Sequence, residues 1–442
     1  MTIVRDATVV GMTGPFGSGS TTSSEILKER RGFCHVRLSQ LVKDTWNREN
    51  SGKRATRSQL QALGNRIRQE HRDPGILASK AVEQLDQSSE QFSKIVVDGV
   101  RNLGEIEFFR HLFGTRFYLL AFECQPSERW ERVRAREYEV AGLSQTQFLA
   151  DNEEDRDQET VYGQQVQLCV DDADVLIDNE SAVTLAQLRS KLIQYLELAT
   201  GQNPRYATPK EIFMNLAYSS SHASKCLKRQ VGAVLVSAPP DEMGEIVGVG
   251  FNENPSGTSP CVEERKYGAD PDQKKPGTCY RDIVRRDSFV QLSKAGRRCP
   301  QCGNIIAGFT TESVPPWLCS NPKCLVNLEK FFWPERAMTK CTAIHAELQA
   351  IFAARGRAKG ATLYTTTFPC FQCAEAVAQA GISFIVYTEP YPDVRSGARL
   401  EIAQIKVARF EGIRSRRFDE IFSRARPYIS ELTQISKEGK KS

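Results

Sequence analysis

The chain has 442 residues, 59 of them Lys or Arg and 54 Asp or Glu, for a formal charge of +5. At roughly 150 residues per domain this length holds two or three domains, and 26% charged with 40% hydrophobic residues exclude wholesale disorder. Apolar runs such as Val231–Val236 and Phe117–Phe122 fall far short of the ~20 residues that span a bilayer, and Met1–Asp6 does not read as a secretion signal, so a cytoplasmic protein with no membrane partner is expected.

Over the first two hundred residues, apolar runs alternate with amphipathic stretches, as in a parallel sheet with helices on both faces. Strands are expected at Thr8–Gly11, Val36–Leu38, Lys94–Asp98, Phe117–Phe122 and Asp174–Ile177. Helices are expected over Ser58–His71, Asp73–Gln84, Ser127–Glu139 and Ala182–Thr200, before a linker at Gly201–Thr208. A second unit opens with a helix from Pro209, followed by strands Gly232–Val236 and Glu245–Gly250. Pro255–Lys340, rich in Pro, Gly, Lys and Cys, interrupts it. The pattern resumes with helix Glu347–Ala353, strand Thr362–Thr365, helix Cys370–Ala380 and strand Phe384–Tyr387. From Arg409 to Ser442 nine basic residues face five acidic ones, which reads as a solvated basic tail, with contact to a phosphate-bearing ligand or nucleic acid as the alternative. The expected domains are 1–203, 204–408 with an insertion at 255–340, and a tail at 409–442.

Six of the thirteen cysteines fall in three tight pairs, a spacing that holds metal in a reducing compartment. The others are expected to be small buried residues. His345-Ala346-Glu347, followed by Pro369-Cys370-Phe371-Gln372-Cys373, is the pattern of zinc nucleobase deaminases. One imidazole and two thiolates occupy three tetrahedral positions and leave the fourth for water, whose pKa zinc lowers toward ~7. Glu347, a non-ligand, is then placed to take that water's proton and pass it to the ring nitrogen and the leaving ammonia. Cysteines in the first turn of a helix gain from its positive end, which favours thiolate. A closed zinc site with Glu347 merely capping a helix is the competing interpretation.

Ala343–Tyr387 (AIHAELQAI…GATLYTTTFPCFQCAEAVAQAGISFIVY) and Ser224–Gly257 (SKCLKRQVGAVLV…IVGVGFNENPSG) closely resemble the deoxycytidylate deaminases. The resemblance implies a five-stranded αβα deaminase fold acting on free cytosine deoxynucleotides. It makes His345, Cys370 and Cys373 the zinc ligands and Glu347 the proton shuttle, and sets Asn252 against the substrate's sugar. The family's usual N-G-M-P reads Asn252-Glu253-Asn254-Pro255 here.

Cys299-Pro-Gln-Cys302 and Cys319-Ser-Asn-Pro-Lys-Cys324 resemble two zinc knuckles, whose four thiolates would close a structural zinc ribbon over 299–324. A redox pair competes with this, as does nucleic-acid contact through Arg297, Arg298 and Trp317. Cys261 and Cys279 are further candidates to join a site.

Thr8–Gly11 leads into Gly14-Pro-Phe-Gly17-Ser-Gly19-Ser20-Thr21 and then a helix, matching the phosphate-binding loop at every fixed position except the lysine, which is Ser20. The surroundings resemble small nucleoside and nucleotide kinases. Asp98 looks like their metal-facing acid, with Mg2+ beside a nucleotide; Arg129, Arg132, Arg134 and Arg136 look like a lid helix; Ala173–Asn179 looks like the last strand beside the base. Without the lysine's point charge, nucleotide binding at a regulatory site is expected rather than efficient phosphoryl transfer. A kinase with a substitute cation and a structural relic are the alternatives.

A P-loop kinase-like domain ahead of a deoxycytidylate deaminase domain resembles the anti-phage dCTP deaminases over nearly the whole chain. The resemblance implies deamination of dCTP, and dCMP, to uridine nucleotides in antiviral defence, under nucleotide control, with an inhibitory small RNA as a further partner and a homo-oligomeric assembly. The rival functions are a polynucleotide deaminase and a non-enzymatic nucleotide sensor.

Overall fold

The computed structural model describes residues 6–423 apart from 51–53, 89, 136–143, 146–147, 149–160, 181–182, 264–278, 311–316, 322, 325, 327, 333–340 and 391–393. In chain order the first elements are β1 (Thr8–Thr13), α1 (Ser20–Arg31), β2 (Cys34–Arg37), α2 (Leu38–Glu49), α3 (Arg57–Glu70), α4 (Ile76–Asp86), β3 (Lys94–Asp98) and α5 (Leu103–Phe113). Next come β4 (Phe117–Glu123), α6 (Pro126–Arg134), α7 (Val166–Asp171), β5 (Val175–Asp178), α8 (Leu185–Ala199), α9 (Pro209–Ser221), β6 (Gly232–Val236) and β7 (Ile246–Phe251). The last are α10 (Tyr280–Lys294), α11 (Glu329–Phe332), α12 (Ala346–Ala353), β8 (Thr362–Thr367), α13 (Phe371–Gln379), β9 (Phe384–Glu389), α14 (Val394–Ile402), β10 (Lys406–Arg409), β11 (Gly412–Ile413) and α15 (Ser415–Ser423). Among the described residues no helix is long and apolar enough to cross a membrane.

They form two compact units, one running to Glu211 and resuming at Phe410, the other spanning Ile212–Arg409. The first holds a six-stranded sheet in the order β11-β5-β4-β1-β3-β2, parallel except for β11. Every residue of β4 is buried, and so are Ile95–Val97 of β3, as a parallel sheet covered on both faces requires. Local chemistry starts the surrounding helices. Thr56 with Gln59, Asn102 with Glu105, and Thr184 with Gln187 make reciprocal capping boxes, and Pro126 stands in the first turn of α6. Because β1 lies between β4 and β3, the loop after β1 emerges where the strand order reverses, the place where open α/β sheets bind ligands.

The second unit holds a five-stranded sheet, β10-β9-β8-β6-β7, with β8, β9 and β10 parallel and β6 antiparallel to both its neighbours. Its core is rich in alanine, including Ala346, Ala350, Ala354, Ala361 and Ala374. Small side chains bring α12 down onto β7. A Cβ on Gly250 would stand 2.2 Å from Ala346 O, and one on Gly248 2.2 Å from Ala350 O. The helix carrying Glu347 is therefore seated by backbone contact, which only glycine on the strand permits.

The C-terminal segment departs from the sequence expectation. Instead of a solvated tail from 409, β11 pairs antiparallel with β5, Gly412 opposite Leu176 and Ile413 opposite Val175, and α15 follows. Arg414 and Arg417 are buried: Arg414 donates to Val170 O at 2.7 Å, and Arg417 donates to Phe117 O at 2.6 Å and lies 3.4 Å from Asp174. The reason is that β5 would otherwise leave a sheet edge unpaired, and Phe410, Ile413 and Ile421 are apolar enough to cover it. Residues 424–442 of the expected tail, and Arg136 of the expected lid, lie outside the described residues.

Candidate metal centre and phosphate loop

Two strand-to-helix junctions build the metal centre. Glu253 and Ile344 exchange backbone hydrogen bonds of 3.1 and 2.7 Å, which leads the chain into α12 with His345 at the N-cap. After β8, Phe368 N–H donates to Glu389 O at 2.8 Å, and the chain enters α13 with Cys370 at the N-cap. His345 Nδ1 then stands 3.3 Å from Cys370 Sγ and 3.2 Å from Cys373 Sγ, and the three donor atoms lie within 4.8 Å of one another. Glu347, buried in the first turn of α12, places Oε2 3.5 Å from Cys373 Sγ.

The electrostatics sort these groups. A hydrogen bond from the Cys373 thiol pulls Cys370 down to about 4, against the upward push of burial and with help from His345. The same bond, with burial, drives Cys373 well up. At His345, burial lowers proton affinity but the Cys370 sulfur beside it outweighs that, so its pKa is raised. Burial raises the pKa of the Glu347 carboxyl, against the pull of His345.

Asn252, expected at the sugar, has both ends of its amide on the main chain. Oδ1 accepts from Val231 N–H at 2.7 Å, and Nδ2 donates to Arg229 O at 2.9 Å. It lines a cavity of about 280 Å³ together with Ala343, Cys226, Cys261, Cys279 and Cys341. Cys261 and Cys279 thus sit apart from the ribbon sulfurs. In the insertion, Cys299, Cys302, Cys319 and Cys324 bring their sulfurs within 4.8 Å of one another, with Cys302 and Cys319 3.7 Å apart. The Asn304 backbone amide draws Cys302 down to about 7. Around them Phe289 of α10, Ile306, Trp317 and Leu328 form a small separate core, with Phe289 stacked on Trp317 at 5.2 Å. Trp317 is fully buried there, so it is a core residue and not a stacking surface for bases.

At the phosphate loop Gly14, Gly17 and Gly19 have φ of 147°, 83° and 105°, conformations that glycine adopts at little cost. Ser20 and Thr21 open α1, whose N-cap is Gly19 and which has no side-chain cap, so its free N–H groups face the loop. Asn179 donates to Ser18 O at 2.7 Å and fills the space where a Cβ on Gly19 would stand, 2.4 Å away. Asp98, at the end of β3, is buried 3.9 Å from His35 and 4.0 Å from Arg37. Two of the four arginines expected on a lid are bound elsewhere. Arg129 is buried and donates to Cys124 O and Phe16 O, both at 3.0 Å, and Arg132 donates to Asn179 O at 2.7 Å. They brace the loop from below.

The family model of the cytidine and deoxycytidylate deaminase zinc-binding region matches residues 207–389, and that of an AAA domain matches residues 10–161. The deoxycytidylate deaminase of Enterobacteria phage T4 is 31% identical over 193 residues, covering 42% of this chain and 79% of the phage protein. The chain belongs to the deoxycytidylate deaminase family. A UPF0200 protein of Saccharolobus islandicus matches 28% of this deaminase at 33% identity, over 62% of its own length. The cyanophage S-TIM5 dCMP deaminase, solved with dCMP and dUMP, is 20% identical, with a TM-score of 0.26 over 46% of this chain and 96% of its own.

The residues of this deaminase fit the zinc for which its family is described. Donors 2.0–2.3 Å from zinc in a tetrahedron lie about 3.5 Å apart, close to the separations found here, and two thiols beside an imidazole are the soft set zinc prefers. Sequence reasoning missed a layer behind them. Arg229 Nε donates to Glu389 Oε2 at 3.0 Å, and Thr367 Oγ1 donates to the same oxygen at 3.2 Å. Arg229 and Glu389 are 160 residues apart, and no local pattern joins them.

Proposed function

We propose that this chain hydrolyses the exocyclic amine of free cytosine deoxynucleotides, dCTP and dCMP. Water adds at C4, the C4–N bond breaks, and a deoxyuridine nucleotide and ammonia leave. The observation that carries this is the His345, Cys370 and Cys373 cluster with a buried non-ligand carboxylate, Glu347, beside it. Zinc held by those three residues would supply an activated water at neutral pH. Glu347 takes a proton from the attacking water and delivers it to N3, then carries the remaining proton of the C4 hydroxyl to the departing amine as the C4 carbonyl forms, a role suited to a buried carboxyl of raised pKa. Asn252 fixes the 229–231 turn at the mouth of β6 against which the sugar would rest. A second zinc in the Cys299, Cys302, Cys319 and Cys324 cluster braces the insertion.

On the same reading the phosphate loop, lacking its lysine, binds a nucleotide with Mg2+ and regulates the deaminase. Draining dCTP during viral replication is the biological role, in a cytoplasmic homo-oligomer. The test is ammonia release from dCTP, dCMP, CTP, deoxycytidine and single-stranded DNA, by wild type and Glu347→Gln, with and without added nucleotides. Turnover of dCTP or dCMP is expected, falling by about 10²–10⁴ in Glu347→Gln, which keeps its size but cannot accept a proton. Turnover of the polymer alone would replace this reading with a nucleic-acid deaminase.

A further inference from the structure

The phosphate loop is held by residues from both ends of the sequence. Phe410 follows the last residue of β10 directly, and Glu411 turns its carboxylate onto the end of β5. Glu411 Oε2 accepts from Asp178 N–H at 3.1 Å and from Lys191 Nζ at 2.5 Å, and Oε1 accepts from Tyr195 OH at 3.3 Å. Lys191 also donates to Asp178 O at 3.1 Å, so the Glu411–Lys191 pair grips residue 178 through both its N–H and its C=O. The next residue is Asn179, whose amide holds Ser18 O and stands against Gly19. The Glu411 contact and the loop contact thus fall on consecutive residues.

The other crossing between the units is tied to the same segment. Glu211, buried near the start of α9, accepts from Arg205 at 2.7 and 2.8 Å and from Thr208 N–H at 2.8 Å. Its Oε1 also accepts from Ile413 N–H at 3.0 Å. Gly412, with φ of 147°, lets β11 approach the start of α9, since a Cβ there would stand 2.8 Å from Glu211 Cγ. The chain entering the deaminase unit and the chain leaving it are therefore fastened together beside β5.

We propose that Glu411 is a positioning residue of the phosphate loop, so that the nucleotide site is completed by the segment that leaves the deaminase unit. It acts through Asp178 and Asn179, holding the Asn179 amide on Ser18 and Gly19. By linkage, a ligand that orders the loop also tightens the 410–414 segment, and loosening that segment weakens the ligand by the same factor. This rests on the reading that the loop takes a nucleotide.

The test uses the full chain and hydrogen exchange read by mass spectrometry, with Mg2+ plus ATP, GTP or dTTP as binding probes. Glu411→Gln and Lys191→Met each remove a charge-assisted hydrogen bond. Each is expected to speed exchange over residues 14–21 and to weaken probe binding by about tenfold. Glu420→Gln, which frees the Arg417 contact on the same segment without touching β5, is the control and leaves exchange at 14–21 unchanged. Faster exchange confined to 410–414, or equal loosening in the control, overturns the proposal, because Glu411 would then only anchor its own segment. If no probe binds the wild type, the nucleotide reading fails, and the exchange pattern still decides whether Glu411 positions the loop.

Discussion

Arg229 does two jobs from one position. Its carbonyl takes the Asn252 amide, and its guanidinium takes Glu389, which also receives Thr367 just ahead of the Pro369-Cys370 turn. The loop at Asn252 and the loop before Cys370 are thereby coupled by a half-buried charge pair. Arg229→Gln should leave zinc content intact but lower dCMP turnover by about 10-fold or more, from the loss of a charge-assisted bond that fixes two loops. Metal analysis and steady-state kinetics on one preparation would check it, and wild-type turnover would show the pair to be dispensable. At this scale the ligands were legible, because His345 with Glu347, and Cys370 with Cys373, sit within one helical turn of each other. Asn252 was legible only as a residue type. Its hydrogen bonds to residues 229 and 231 follow from how β6 and β7 pair.

Among the elements, the cysteine-rich insertion folds around its own small core. Phe289 from α10 packs on Trp317, and both lie against the cluster that contains Cys299 and Cys319. Among the described residues this core has six buried members, two of them cysteines of the cluster itself, so metal at the four thiolates is expected to supply much of its stability. Cys302→Ser with Cys319→Ser should cut bound zinc from about two ions per chain to about one. It should also shift Trp317 emission to the red as its indole leaves the core. Unchanged zinc content would mean that the cluster holds no metal. The two cysteine pairs were visible in the sequence, whereas α10 was not read as a helix. Its apolar positions serve a local core of six residues, so its stripe is faint against a polar sequence.

At the scale of the whole molecule, the chain leaves its first unit, builds the deaminase, and returns to finish the first sheet. Ending the chain after Arg409 would uncover the edge of β5 and take Arg417 from Asp174, which is fully buried and otherwise faces Arg110 at 3.6 Å and Leu119 N–H at 2.8 Å. Breaking a buried pair in this way costs about 3–5 kcal/mol, so the first unit should unfold at lower temperature while the deaminase unit changes little. Burial already holds the Asp174 pKa above the ordinary carboxylate value, against Arg417 and Arg110. A raised folded-state pKa means that stability is fully present below the unfolded value near 4 and is lost as pH rises through the folded one. The truncation should therefore cost most at pH values above the folded-state pKa of Asp174 and progressively less as the medium is acidified through it. Calorimetry of full-length and shortened chains across pH would measure both effects, and a penalty that did not change with pH would remove Asp174 from the account.

What could be read from the sequence alone were the features confined to one turn or one strand. These were the ligand pairs at helix starts, the glycine loop after β1, the apolar runs within β3 and β4, and the alternation that marks two α/β units. Each depends on backbone geometry over a few residues, which composition and spacing record. Tertiary structure decided the long-range pairings: Arg229 with Glu389, Arg129 beneath the phosphate loop, and β11 against β5. A strand of two residues has no periodicity to read, and a run of charges looks solvated until its partners are known. The 410–423 segment packs onto the first unit because β5 offers an open edge and Asp172 and Asp174 offer countercharge, and both facts belong to residues more than two hundred positions away.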